Sequence, residues 1–215
     1  LLEKNTDTFV RYNEAISILR KVQSFKDEAF SNIISANDPF GFDIRENNSY
    51  KRVKTLFKKS YFNNSVEFYY NGWRKEGLGY LKAEVVQKNI DWLNKYKVLI
   101  PKAWGVGTMD KDWLKPFIIE KNSCCTETYL VIGPFTNKKI AESVVVYTQT
   151  KFFHFLVSLI KNTQNAMKKV YSFVPMQNFD ENWTDEKLYK KYQLTKEEIL
   201  FIESMIKSTE IENEE

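Results

Sequence analysis

Several short strings in this chain bring together residue types that do chemistry. Asp38-Pro39-Phe40-Gly41 approaches the Asn/Asp-Pro-Pro-aromatic turn, where polar acceptors hold an exocyclic amine and a ring stacks on an extruded base. The second proline is missing, and a plain turn is the stronger reading. Asp185-Glu186-Lys187 has the acid-x-Lys form found around the metal of many nucleases. Thr184 precedes it and an apolar helix follows, so the two acids read first as first-turn residues favoured by the helix dipole. Gly77-Leu78-Gly79 and Gly105-Val106-Gly107 lack the third glycine of a dinucleotide loop and read as turns. His154 is the only histidine and sits in an apolar stripe, and Cys124 and Cys125 are adjacent. One histidine and a neighbouring cysteine pair do not make a usual zinc set, and a partly buried, hydrogen-bonded histidine is the stronger reading. No catalytic, metal-ligating or cofactor-binding residue is therefore assigned.

Positive and amide side chains offer more. Lys51, Arg52, Lys54, Lys58 and Lys59 form a run with no acid inside it, interleaved with Val53, Leu56 and Phe57. Such a run suits phosphate contacts, or else forms a solvated face. Lys102, Trp104 and Thr108 lie in a segment that joins a cation, a large ring and flexible backbone, as loops that follow a groove do. Trp104 could equally plug a core. Asn122 and Ser123 place an amide and a hydroxyl at a turn. In Lys161-Asn162-Thr163-Gln164-Asn165 polar residues interrupt an apolar stripe, and Lys168 and Lys169 follow. Asn162 and Gln164 read either as adenine-reading amides or as a buried polar network; the lysines read as phosphate contacts.

These side chains need a scaffold. The 215 residues are 43% hydrophobic, enough for one large domain or two small ones closely packed. Aromatics reach 15%, which leaves rings beyond the needs of a core. The net charge is +4, but four acids crowd into the tail at Glu210, Glu212, Glu214 and Glu215. Without them 32 basic residues face 24 acidic ones, a balance that favours a polyanionic partner. No disulfide framework is available, and no apolar run reaches the roughly 20 residues of a membrane span. A cytoplasmic protein with no membrane association is expected. The chain opens at Leu1, without methionine or a signal peptide, and reads as an internal fragment.

Periodicity predicts a first helix carrying Tyr12, Ile16, Leu19 and Val22, then a turn-rich stretch. Strands are expected over residues 53–57, 66–70, 98–100, 118–119, 124–132 and 170–174, with a short helix over 83–96. One long helix should run from Asn137 to Ile160. Two short helices close the chain, the second opened by a capping box of Thr195 and Glu198. The expected fold class is α+β: a mixed sheet of short strands packed on a long central helix, with N- and C-terminal helices. Residues 1–60 read as a helical segment and turn-rich connection, 61–206 as the main domain and 207–215 as an acidic flexible tail.

From about Lys97 onward the sequence resembles the carboxy-terminal, target-recognition region of adenine-specific DNA methyltransferases and restriction enzymes of type II restriction-modification systems. The resemblance is carried by Val98-Leu99-Ile100-Pro101-Lys102-Ala103, Asn122-Ser123-Cys124-Cys125-Thr126-Glu127-Thr128-Tyr129, Lys151-Phe152-Phe153 and Lys161-Asn162-Thr163-Gln164. It continues through Val170-Tyr171-Ser172-Phe173-Val174-Pro175, Trp183-Thr184-Asp185-Glu186-Lys187-Leu188-Tyr189 and Phe201-Ile202-Glu203-Ser204-Met205-Ile206. It covers about half the chain in one consistent order. It implies a specificity domain of TaqI-like type that binds double-stranded DNA and confers sequence specificity on an upstream methyltransferase domain of the same chain. That upstream half would bind S-adenosylmethionine and, where a nuclease is fused to it, magnesium. The fragment itself would be no enzyme and hold no cofactor. A protein-interaction module that docks a partner subunit, and a nuclease domain fragment, are the other readings.

Overall fold

A computed structural model describes residues 12–42, 55–103, 113–161 and 165–206. The chain is mixed α and β. Among the described residues six α-helices can be bounded, together with two three-stranded sheets. Two compact units are made from discontinuous pieces. One comprises Leu1–Asn32, Ala103–Lys115 and Ser143–Glu215; the other comprises Ile33–Lys102 and Pro116–Glu142.

The second unit holds both sheets. In the first of them β1 (Ser65–Tyr69) lies between β2 (Gly79–Lys82), antiparallel, and β5 (Ser123–Cys125), parallel. In the other, β3 (Tyr96–Pro101) lies between β4 (Phe117–Ile119) and β6 (Tyr129–Phe135), both antiparallel. Phe40, Phe68, Leu81, Leu99, Ile119 and Cys124 are wholly buried in one core beneath these strands. Fully burying side chains of this size contributes about 1.5–3 kcal/mol each. A four-residue helix, α2 (Trp73–Glu76), fills the β1–β2 connection, entered through Gly72 and left through Gly77, both at positive φ. Gly79 opens β2 because a Cβ there would stand 2.6 Å from the Phe57 ring.

The first unit is helical among its described residues. Ala15, Ile18, Leu19 and Val22 form the buried stripe of α1 (Asn13–Ser24). The chain re-enters this unit within α3 (Lys138–Thr148) and continues through α4 (Lys151–Ser158), α5 (Asp185–Lys191) and α6 (Lys196–Met205). Phe30, Tyr147 and Phe153 meet edge to face at 5.3–5.7 Å between centroids, the favoured quadrupole arrangement. The buried Tyr147 hydroxyl donates to the Pro175 carbonyl at 2.7 Å. Tyr192 stacks on Phe152 and donates to Asp27 at 2.7 Å, while Gln177 donates to the Tyr192 oxygen.

Several expected elements form otherwise. The mixed sheet is two separate sheets, because the strand expected over 124–132 breaks at Thr126–Thr128 and its halves pair with different partners, β1 and β3. The long helix is interrupted at Gln149–Thr150. There Thr150 turns extended and its hydroxyl oxygen accepts from Phe153 N–H, starting a new helix. Residues 83–96 make two 3-10 turns, Ala83–Val85 and Ile90–Trp92, separated by Asn89 at φ 50°, which no continuous helix accommodates. The strand expected over 170–174 is a 3-10 helix, Lys168–Tyr171, followed by a turn. Thr55 and Leu56 are helical rather than extended, and residues 53 and 54 lie outside the described residues. The first helix, β1, β3, β4 and the two closing helices form where periodicity placed them, capping box included.

Candidate nucleic-acid interface

Of the basic run at residues 51–59, Lys51, Arg52 and Lys54 lie outside the described residues. Lys58 and Lys59 are adjacent and exposed but differ in what surrounds them. The Lys58 backbone exchanges both hydrogen bonds with Tyr80 at 2.8 Å, and its ammonium stands 5.3 Å from the Phe62 ring. No carboxylate among the described residues pairs with it. Lys59 is neutralised. Its ammonium bridges the Glu76 carboxylate at 3.1 Å, donates to the Tyr70 hydroxyl and lies over the Tyr70 ring. Slight burial opposes its charge, yet the Tyr70 and Glu76 oxygens outweigh that and raise its pKa above 10.5.

Lys102 follows β3 and donates to Asn37 Oδ1 at 3.1 Å. Asn122 and Ser123 serve the fold directly. Asn122 adopts φ 60°, and its side-chain amide donates to the Ser65 carbonyl at 2.7 Å. Ser123 is wholly buried in β5, and its hydroxyl donates to the Glu120 carbonyl. Trp104, Thr108, Asn162 and Gln164 lie outside the described residues. In the helical unit Lys161 is half-buried just after α4, whereas Lys168 and Lys169 are exposed on their 3-10 helix with no acid partner among the described residues.

One cluster escaped the sequence reading. Trp73 packs edge-on against Tyr69 at 5.0 Å and tilted against Phe117 at 5.5 Å, and Phe117 meets Tyr129 edge to face at 5.6 Å. The Trp73 indole N–H donates to the Tyr129 hydroxyl at 3.0 Å, fixing the indole. Burial raises the Tyr129 pKa, and the Trp73 N–H and the Arg74 charge act against it. The Arg74 guanidinium rests on this group, 4.8 Å from the Trp73 ring and 5.0 Å from that of Phe117. Trp73-Arg74 beside the Asn71-Gly72 turn was the available signal; Phe117 and Tyr129 are too distant in sequence to be tied to it.

Gly105-Val106-Gly107 lies outside the described residues, and the other strings are engaged by packing and hydrogen bonds. Phe40 of the Asp38-Pro39-Phe40-Gly41 turn is wholly buried, and Asp38 accepts from Lys88 at 2.8 Å. Asp185 accepts two backbone amides of α4, and Lys187 pairs with Glu181. His154 is buried against the Trp113 ring at 4.2 Å. Cys124 and Cys125 are free and buried, and burial pushes both thiols up from their ordinary 9.0. No group of three or more His, Cys, Asp or Glu among the described residues is placed to hold a metal. No helix among them is long and apolar enough to cross a membrane.

Charge divides unequally between the units. The two-sheet unit has 16 Lys and Arg against 10 Asp and Glu, a net +6. The helical unit has 16 against 18, a net −2 that becomes +2 once Glu210, Glu212, Glu214 and Glu215, which lie outside the described residues, are set aside. Of the described cations, Lys58, Lys59, Arg74 and Lys102 belong to the positive unit. No protein-family model, no curated protein and no solved structure matches the chain.

Proposed function

We propose that this chain is a DNA target-recognition region, of TaqI-like specificity-domain type, from an adenine-specific methyltransferase or restriction enzyme of a restriction-modification system. Its two-sheet unit holds the phosphate backbone of duplex DNA, and an upstream domain of the parent protein supplies S-adenosylmethionine and methyl transfer. The observation that carries this reading is the net charge of +6 in the two-sheet unit, against +2 in the helical one once the four tail acids are set aside. A polyanion is attracted most strongly where unpaired cations concentrate, and phosphate contacts position a protein on DNA. The ordered resemblance from Lys97 to Ile206 supports the same reading. Among the described cations first singled out, Lys58 in the two-sheet unit is exposed without an acid partner, as are Lys168 and Lys169 in the helical unit.

Fluorescence anisotropy of labelled random-sequence duplex, titrated with the 215-residue chain across a salt series, tests this reading. Affinity should fall steeply as salt rises, because each neutralised phosphate releases counterion. Binding that is absent, or unchanged by salt, overturns it and favours the protein-interaction module.

A further inference from the structure

We infer that Arg74 is a duplex-DNA contact, its guanidinium presented from an aromatic seat to take a phosphate or the O6/N7 edge of a guanine; the inference rests on the DNA-binding reading above. Arg74 is exposed, yet its guanidinium is placed rather than left to wander. It lies over Trp73 at 4.8 Å and Phe117 at 5.0 Å, and the Trp73 indole is itself pinned to Tyr129. A guanidinium stacked on rings keeps its planar fork of N–H donors available at the edge, and less side-chain freedom is lost when a partner arrives.

No carboxylate among the described residues uses those donors. Glu76, the acid within the same short helix, is already bound to Lys59 at 3.1 Å. Lys75 adds a second exposed cation beside Arg74 with no acid partner. A planar, unpaired donor fork in a unit of net charge +6 fits an oxyanion or a paired acceptor edge, and phosphate and guanine O6/N7 are those two on duplex DNA. The helix carrying it, entered and left through positive-φ glycines, projects between β1 and β2 and does not depend on the Arg74 side chain for its closure.

The test compares the wild-type chain with Arg74→Ala, Arg74→Lys and Arg74→Gln on labelled duplexes, guanine-containing and guanine-free, across salt. Arg74→Ala should bind about tenfold more weakly, with the salt slope reduced by about 1 for a phosphate contact. Recovery of the slope in Arg74→Lys identifies phosphate as the target. A loss confined to guanine-containing duplexes and not recovered by lysine identifies the base edge. Arg74→Gln keeps the stem against Trp73 and carries the comparison if the alanine variant melts early. Wild-type affinity in both Arg74→Ala and Arg74→Gln overturns the inference and leaves the DNA-binding reading standing. A wild-type chain without salt-dependent binding overturns both.

Discussion

The Asp185 carboxylate accepts the backbone N–H of Phe152 at 2.8 Å and that of Lys151 at 3.0 Å, so an acid at the first turn of α5 closes the N-terminus of α4. Burial raises its pKa above 3.8, and the two amides act against that shift. A carboxylate used in this way is engaged by the fold, and the acid-x-Lys string around it is accounted for without a metal.

Asp185→Ala should therefore destabilise the chain by about 1–2 kcal/mol, since it leaves two first-turn amides of α4 without their acceptor. Asp185→Asn, which keeps one carbonyl acceptor, should lose less. Urea denaturation followed by circular dichroism reads the difference. Equal stability of all three proteins would show that solvent satisfies those amides equally well.

Asn122 makes a second case where a polar residue serves the backbone. Its left-handed φ of 60° suits asparagine or glycine, and its amide anchors the Ser65 carbonyl at 2.7 Å. Asn122→Gly should cost about 1 kcal/mol for the lost hydrogen bond, and Asn122→Ala about 1 kcal/mol more for the strained conformation. DNA sequence preference should be the same in both. A changed preference with unchanged melting would return Asn122 to the interface.

How much could be read in the sequence follows from how local each interaction is. The capping box of Thr195 and Glu198 is closed within four residues, and it forms as expected. Leu19 and Val22 of the α1 stripe and the short apolar run of β1 were legible for the same reason, although Ala15 and Ile18 complete the buried stripe in place of Tyr12 and Ile16. The interruption at Thr150 was not, because two of the three side-chain hydrogen bonds to the following first-turn amides come from Asp185, a residue 33 positions beyond Phe152. Cys124 and Leu130 fell in one expected strand, and only their pairing with different strands separates them into two sheets. At the candidate interface, Lys58 and Lys59 were indistinguishable in sequence; Glu76, 17 residues from Lys59, makes them different. Arg74 was hidden likewise, its seat completed by Phe117 from another sheet.

That difference between neighbouring lysines is measurable. Lys58→Ala should reduce the salt slope of DNA binding by about 1, and Lys168→Ala and Lys169→Ala should act similarly where those cations meet phosphate. Lys59→Ala should leave the slope nearly unchanged, because its charge is already offset by Glu76 and the Tyr70 oxygen. The Lys59–Glu76 bridge is exposed on both sides, so its loss should barely move thermal stability. Equal slopes in the Lys58 and Lys59 variants would show that DNA pulls Lys59 away from Glu76.

Lys97 supplies a prediction about pH. Its side chain is wholly buried in β3, and its ammonium donates to the carbonyls of Trp92 at 2.9 Å, Leu93 at 3.2 Å and Lys95 at 2.6 Å. Burial pulls its pKa down from 10.5 to about 8. Below pH 8 both folded and unfolded chains carry the charge, and the folded state bears the full cost of burying it. Between about 8 and 10.5 the folded chain has released the proton and the unfolded chain still holds it, so this group adds stability as pH rises. Compared with Lys97→Met, the wild-type chain should gain up to about 3 kcal/mol across that window. The buried Cys124 and Cys125 thiols, whose pKa values are raised, cost both proteins stability above their ordinary 9.0 and largely cancel in the comparison. Urea denaturation midpoints at pH 7.5 and pH 10 decide it: a wild-type advantage that does not grow would mean the three carbonyls hold the ammonium charged throughout.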